Sequence, residues 1–369
     1  MMDEVLKKRL LALGHLLVDQ KRARIVVKAR QDKPGFWFGG GNMIETADGE
    51  LLLCGRYRNA GDSTTGLGKG ERGLELAIYS SRDGGATFSK TAAWSKQDLS
   101  RSQDEVVSIE GVALNRTASG LELFVSTEKR SLSYPAALAQ YQKPGTGVWS
   151  IDRLAAQDVK SLLKAPVVSL LASDQPEYLH VKDPVVHTLP DGGTVLIFCT
   201  HPFNWSSSNS AYCIRRAGQQ AFDAPVFGFF RRGYTWDVAA TRITEVLSID
   251  GALAGTDGSV QLVFYDGAEC LRPHDENPAA VKRPRGYSCE EIGGLAFTKD
   301  NDLDHLERLS VLYPEFISPH GTGTSRYVDT LATEKGIYVT WQQAQADGSQ
   351  PSVLNFVGWD EVKATLGTA

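Results

Sequence analysis

Carboxylates recur at matching points of separate stretches of the chain. Glu110 lies in Ser108-Ile109-Glu110-Gly111, and Asp250 lies in Ser248-Ile249-Asp250-Gly251. Asp183 precedes Pro184 at the start of an apolar run, and Asp62 sits in the polar, Gly-rich stretch GDSTTGLGKGERG. Acids drawn from distant segments into one small, partly dry space repel one another, and at least one then holds a proton near neutrality. An ionised and a protonated carboxyl on either side of a glycosidic bond are the machinery of hydrolysis. Their separation sets the stereochemical course, roughly 5–5.5 Å for retention and 6.5–9.5 Å for inversion. Tyr327, beside Arg326, adds a phenol that can serve as nucleophile or base.

Candidate binding groups surround these acids. Arg56 and Arg58 alternate after an apolar run and so share one face of a strand. A guanidinium there would bind a carboxylate, a sulfate or a hydroxyl-rich ring. His201 and Trp205 in HPFNW, and Trp236 in YTWD, offer plates for the apolar CH faces of sugars. Each residue also has a structural reading. Glu110 and Asp250 could hydrogen-bond a neighbouring backbone, Asp183 could cap a turn, and Asp62 could be a solvated loop residue. Arg56 and Arg58 could pair with Glu71 or Glu75, and Tyr327 and the Trp residues could simply pack.

Other chemistries lack their residues. GLGKGERG from Gly66 lacks the spacing and the final Ser/Thr of a phosphate loop, and there is no G-x-S-x-G or dinucleotide fingerprint. The 39 Lys+Arg against 44 Asp+Glu leave a net charge of −5, which argues against nucleic acid as the main partner. The 5 Cys include no CxxC, so neither a zinc knuckle nor a redox pair is expected. No transition-metal site is expected, whereas an oxygen-bound Ca²⁺ on an acidic axis is compatible with the composition. No apolar run approaches the ~18 residues of a membrane span. The start, MMDEVLKKRLLALGHLLVDQ, has no signal-peptide pattern, which leaves a cytoplasmic location as the expectation.

The elements that must position these residues are repeats. VVSIEGVALNRTASGLELFVSTEK from Val106 resembles VLSIDGALAGTDGSVQLVFYDGAE from Val246, and three looser copies start at Gly39, Lys182 and Ser325. Each reads as strand, turn, strand. Third strands follow as LELAIYSSRDGG, AALAQYQKPGTG, AYCIRRAGQQ, GGLAFTKDND and SVLNFVGWDE, with fourth strands such as ATFSKTAAW and VWSIDRL. Five four-stranded copies predict an all-β fold, a five-bladed β-propeller with a short N-terminal helix. Leu6, Leu10, Leu13 and Leu17 supply that helix's apolar face. The chain divides into 1–35, carrying the helix and a ring-closing strand in ARIVVKA, and 36–369, the propeller. Blades are expected over 36–95, 105–155, 177–235, 240–312 and 318–369, with DRLAAQDVKSLLKAP crossing between the second and third. An open sandwich, or two small all-β domains, is the competing arrangement.

In a propeller the first strand of each blade lines the axis, and polar residues at its upper end share one pocket. That rule selects Asn42, Glu45, Glu110, Asp183, His187, Glu245, Asp250, Arg326, Tyr327 and Asp329. The ends of the second strands add Arg56, Arg58, Asp62, Glu128, His201, Trp205 and Asp266. Glu290 and Glu291, ahead of a third strand, read as surface or structural residues.

Ser81-Arg82-Asp83-Gly84-Gly85-Ala86-Thr87-Phe88 matches the Asp-box pattern S-x-D-x-G-x-T-F/W. With the opening Phe36–Phe88 and the stretch Ser325-Arg326-Tyr327-Val328-Asp329, it resembles the sialidase-like β-propellers. The resemblance implies Asp62 as acid/base and Tyr327 as nucleophile. The chain departs from a standard sialidase at Phe38-Gly39-Gly40-Gly41 and near His201, where that family carries carboxylate-binding Arg. The five-blade pattern is similar to the arabinanase-type glycoside hydrolases of family 43 and relatives. Lys182-Asp183-Pro184-Val185-Val186 looks like their Asp-Pro strand opening, and Ser318-Pro319-His320-Gly321 resembles the surroundings of a His near their axial metal. Asn42 stands where that family has its base Asp. The resemblance implies a glycosidase acting on a carbohydrate, neutral or anionic, with an Asp/Glu pair in an axial pocket. The alternatives are a polysaccharide lyase using Tyr327, and a non-catalytic propeller that binds carbohydrate or a partner.

Overall fold

The computed structural model describes residues 4–59, 73–142, 146–201, 208–269 and 291–367. Strand β1 (Arg24–Val27) is followed by five antiparallel sheets. Blade one holds β2 (Trp37–Gly39) and β3 (Met43–Glu45) innermost, then β4 (Leu51–Arg58), β5 (Glu75–Ser81) and β6 (Ser89–Ser95). Blade two runs β7 (Val106–Thr117), β8 (Gly120–Lys129), β9 (Val148–Ala156) and β10 (Val168–Leu171). Blade three runs β11 (His180–Thr188), β12 (Thr194–His201), β13 (Asn209–Arg215) and β14 (Val226–Phe230). Blade four runs β15 (Ala240–Asp250), β16 (Ser259–Ala268), β17 (Ile292–Lys299) and β18 (Glu307–Arg308). Blade five runs β19 (Ser325–Ala332), β20 (Gly336–Gln343) and β21 (Ser352–Gly358), and β1 completes it by pairing antiparallel with β21. The protein is thus a five-bladed β-propeller with a short N-terminal helix, closed by its own first strand.

The second strands explain the packing. β4 and β12 read LLLCGRYR and TVLIFCTH, near-continuous runs buried on both faces because each sheet is stacked between two others. Outer β6, SKTAAWS, alternates exposed and buried positions along its second half, since its outer face meets water. Apolar clusters fill the junctions between neighbouring blades. The helix Glu4–Leu17 buries Leu6, Leu10, Leu13 and Leu17 against blades four and five and the C-terminal helix Trp359–Gly367. In the turn after β5, the Asp83 carboxylate accepts from Ser81 Oγ (2.7 Å), Thr87 N (2.9 Å) and Thr87 Oγ1 (2.6 Å).

Blade two differs from the sequence reading. AALAQY forms a 3₁₀ helix (Ala136–Tyr141), and the expected fourth strand is the third, β9. AALAQY has no β-branched residue, whereas VWSIDRLAA carries Val, Trp and Ile, which suit a pleated surface. The expected crossing segment therefore stays within blade two, as the end of β9, the short helix Val159–Leu162 and the approach to β10.

Innermost strands are irregular at one level. Pairing with the second strand breaks between Ile109 and Val112, Lys182 and Val185, Ile243 and Glu245, and Arg326 and Asp329. Blade one is interrupted between Gly39 and Met43 at the same height. An unpaired residue in a bulge is re-aimed out of the ladder. Glu110, Asp183, Thr244 and Tyr327 occupy these bulges, so the blade-four counterpart of Glu110 is Thr244. Asp250 lies at the far end of β15, paired with Ser259, about 20 Å lower by strand rise.

Candidate functional site

The bulges deliver side chains from several blades to one end of the axis. Arg242 of β15 is the hub. Its Nη1 reaches Asp183 (3.1 Å) and Glu291 (3.0 Å), its Nη2 reaches Asp266 (2.6 Å), and its Nε also donates to Asp266 (3.2 Å). The guanidinium lies 4.0 Å from the centre of the Tyr327 ring. Arg326 pairs with Glu291 and sits between the rings of Trp37 (4.5 Å) and Tyr327 (5.5 Å). Arg56 approaches Glu110 (3.6 Å) and the Tyr327 ring (5.9 Å), and Lys182 approaches Asp183 (3.7 Å).

Two of these residues hold a backbone conformation that L residues avoid. Asp183 and Tyr327 both have φ +54°. Such a conformation costs on the order of 1–3 kcal/mol and persists where the surroundings over-determine it. For Asp183 those surroundings are the Gly111 N–H donating to Oδ1 (3.0 Å), Cys199 Sγ donating to Oδ2 (3.4 Å), and its own N–H donating to Ser126 Oγ (3.1 Å). Gly111 must be glycine here, because a Cβ would lie 2.5 Å from Asp183 Oδ1 and 2.7 Å from its Cα. The Tyr327 N–H donates to Asp266.

The carboxyls are not electrically equivalent. Burial pushes Asp183 up, but Lys182, Arg242 and Arg56 outweigh it and hold the group well below the usual carboxylate range. Glu291 falls to about 2 because Arg242, Arg326 and Lys182 overcome its burial. Glu110 is lowered against its burial by Arg56, Arg58 and Lys182. Asp266 goes the other way, to about 6, because burial dominates and the nearby Glu291 adds to it against Arg242. Burial pushes the Tyr327 phenol up to about 12. The ring therefore combines ionised carboxylates with one that keeps its proton towards neutrality, a mixture suited to proton transfer.

Below Tyr327 the axis narrows to a cavity of about 20 Å³, room for about one water. Asp183, Arg242, Thr244, Glu245, Tyr327 and Asp329 are among its lining residues. The ring thus caps this end of the axis, the cup end of the propeller.

The expected residues separate clearly. Glu110, Asp183, Tyr327, Arg56 and Arg326 come together. Arg58 is half-buried, stacked over Trp37 at 4.8 Å, and close enough to act on Glu110. Arg56 meets Glu110, whereas Glu75 pairs with Arg30 and Lys90. Asp250 is exposed and caps the turn Gly251–Ala254 through the Ala252 N–H, so it does not face the axis. Trp236 is 0% exposed, donates to Ser310 O and stacks on Tyr265, which makes it a packing residue with no face for a sugar. His201 is buried at the end of β12, 6.3 Å from the His180 ring. Asn42 pins blade one to blade two by donating to the Leu114 C=O and accepting from the Leu114 N–H, and His187 bonds Asn301. Asp62 and Trp205 lie outside the described residues, in connections whose flanking strand ends, Arg58 and His201, are on the cup side.

Sequence reasoning missed Arg242, Lys182 and Glu291. An Arg inside the otherwise buried run that opens β15 was a usable signal for the first. Glu291 read as surface or structural, yet it immediately precedes β17, whose Gly293 pairs with Asp266, so the chain re-enters the cup there. Asp183, Asp266 and Glu291 already face guanidinium groups, so these three carboxylates are engaged rather than free to ligate an axial Ca²⁺. Among the described residues no group of three or more His, Cys, Asp or Glu could hold a metal ion. No helix among them is long and apolar enough to cross a membrane.

No protein-family profile matches the chain, and no curated protein matches it. Solved structures share its fold. An α-L-arabinofuranosidase from Lactobacillus brevis superposes with a TM-score of 0.58 at 8% identity, over 89% of this chain and 92% of that one. A thermostable family-43 glycoside hydrolase gives 0.54 at 11% identity, over 89% and 91%. The family-43 endo-arabinanase from Bacillus licheniformis gives 0.53 at 10% identity, over 90% and 96%. At these identities the likeness establishes architecture: the chain shares the propeller fold of glycoside hydrolases.

Proposed function

We propose that the cup is the active site of a glycoside hydrolase-like enzyme acting on a carbohydrate. The observation that carries this reading is the convergence of Glu110, Asp183, Asp266 and Glu291 from three blades onto one end of the axis, with different protonation tendencies. In this reading Asp183 and Glu110 are the ionised carboxylates that act on the scissile bond from adjacent blades. Asp266 and Asp62 are the candidates for the proton-bearing partner. Arg56, Arg326 and Lys182 orient a hydroxyl-rich or anionic ring. The fold neighbours named as arabinofuranosidase and endo-arabinanase make arabinofuranosides the first substrates to try, followed by uronate-bearing glycans.

The test is turnover of that panel by the wild type and by Asp183→Asn, Glu110→Gln and Asp62→Asn. General acid–base groups contribute roughly 10²–10⁴-fold, so losses of that size are expected for at least one variant. Undiminished activity in all three rejects the assignment. A second reading, a lyase with Tyr327 as base, is favoured by the three guanidiniums around its ring, at 4.0, 5.5 and 5.9 Å. An unsaturated product absorbing in the ultraviolet would select it. Binding of the same sugars without turnover by the wild type would instead indicate a non-catalytic propeller.

A further inference from the structure

One buried acidic pair takes no part in the cup. Glu245 of β15 and Asp329 of β19 both line the axial cavity beneath Tyr327, and a space with room for about one water brings their carboxyl groups together. Asp329 Oδ2 also accepts from the Met43 N–H of β3 (2.8 Å) and from Thr340 Oγ1 of β20 (3.4 Å). Carboxylates are acceptors only, so a hydrogen bond between two of them requires a proton. The contact joins blades four and five, and the Met43 bond adds blade one.

Among the described residues no Lys or Arg forms an ion pair with either carboxyl. The other ionisable groups lining the cavity are Asp183, Arg242 and Tyr327, and Arg242 is engaged above by Asp183, Asp266 and Glu291. From β4 the pair is faced by Cys54, a thiol that burial pushes up to about 12. From β11, His187 touches the Val246 backbone and Asn301, and burial lowers its pKa, which favours the neutral ring.

We propose that Glu245 and Asp329 are a proton-sharing carboxyl pair that clamps blades one, four and five directly under the cup, and that this clamp opens as the pH rises. With the proton present, the pair is a short bridge between two inner strands. With it lost, two like charges are left in contact in a low-dielectric space. The strands they would push apart carry Arg242, three residues before Glu245, and Tyr327, two residues before Asp329. The pair is thus a positioning device for the ring at the cup end.

The sign of the pH effect follows from linkage. Burial raises both carboxyls above their unfolded values, so the folded chain binds more protons than the unfolded one. Stability then falls as pH climbs from the ordinary carboxylate range through the titration of the pair.

Infrared spectroscopy of the wild type, Glu245→Gln and Asp329→Asn at about pH 8 reads the proton directly, since Asp266, raised to about 6, is mostly ionised there. The wild type is expected to show the carbonyl stretch of a protonated carboxyl, and both variants to lack it. An amide in either place donates to the remaining carboxylate without needing a proton. The thermal midpoint of the wild type is therefore expected to fall more steeply than that of either variant between about pH 6 and 9. Absence of the wild-type band overturns the proposal. So does an equal pH slope in the wild type and whichever variants fold. Neither readout uses turnover, so the inference stands or falls separately from the proposed function.

Discussion

Two ion networks join neighbouring blades, at opposite ends of the ring, and they are built differently. Away from the cup, Glu122 of β8 accepts two bonds from Arg215 of β13, both 2.6 Å, with Arg153 at 2.6 Å and Asn115 at 3.0 Å. One carboxylate is saturated with donors, on strands in regular register. At the cup, Arg242 is spread over three carboxylates, and two residues hold left-handed backbone. The Nε and Nη1 atoms of Arg56 are buried there without a hydrogen-bond partner among the described residues. Buried charge alone does not mark a site. A saturated pair holds two blades together; an under-saturated network on strained backbone keeps donors and protons available for something else.

The largest expected effect breaks the comparison on the cup side. Asp183→Asn should cost roughly 10²–10⁴-fold in turnover together with a loss of stability, because the amide keeps the Gly111 N–H bond but removes the anion that faces Arg242 and Lys182. Steady-state kinetics beside calorimetry would check this. A stability loss without a rate loss would place Asp183 with Glu122. The mirror experiment is Glu122→Gln, which leaves Arg215 buried without its anion. Breaking such a pair costs about 3–5 kcal/mol, measurable by urea unfolding, with turnover per folded molecule unchanged.

Gly111→Ala sharpens the argument about strain. Its Cβ would collide with Asp183 Oδ1 and Cα, and displacement of a reacting group by about 1 Å can cost ~100-fold in rate. A fully active variant would show that the position of Asp183 is not critical. Asp266 offers a milder test. Its raised pKa, to about 6, means that its protonated form contributes stability at low pH that is lost as pH rises through about 6. Asp266→Asn should flatten that part of the stability profile, as followed by thermal unfolding across pH. The smallest effect belongs to Asp250→Ala, which removes a cap worth about 1 kcal/mol and should leave turnover untouched. A large rate loss there would contradict its placement far below the cup.

The N-terminal helix, the closing strand in ARIVVKA and the apolar second strands could be read along the chain, because each depends on local periodicity. Glu110, Asp183, Tyr327, Arg56 and Arg326 were also within reach, because a propeller sends the upper ends of its inner strands to one axis. Asp250 was misplaced because Ser-Ile-acid-Gly recurs as text while the bulges recur at another height. Glu110 sits in its bulge, but the blade-four bulge falls at Thr244. Glu291 stayed hidden because the connection before it spans more than 20 residues, and nothing local says where such a connection returns.

What the amino-acid order determined by itself was the number of sheets, their sequence and which faces are apolar. Those follow from side-chain periods of 2 and 3.6 and from turn chemistry, which act over a few residues. What only the tertiary structure decided was which charges meet. Arg242 serves three acids, Asp266 keeps its proton longer than its neighbours, and Glu245 finds Asp329. Electrostatic environment is a property of distances between strands far apart in the chain. Those distances are set by bulges and inter-blade packing that composition does not record.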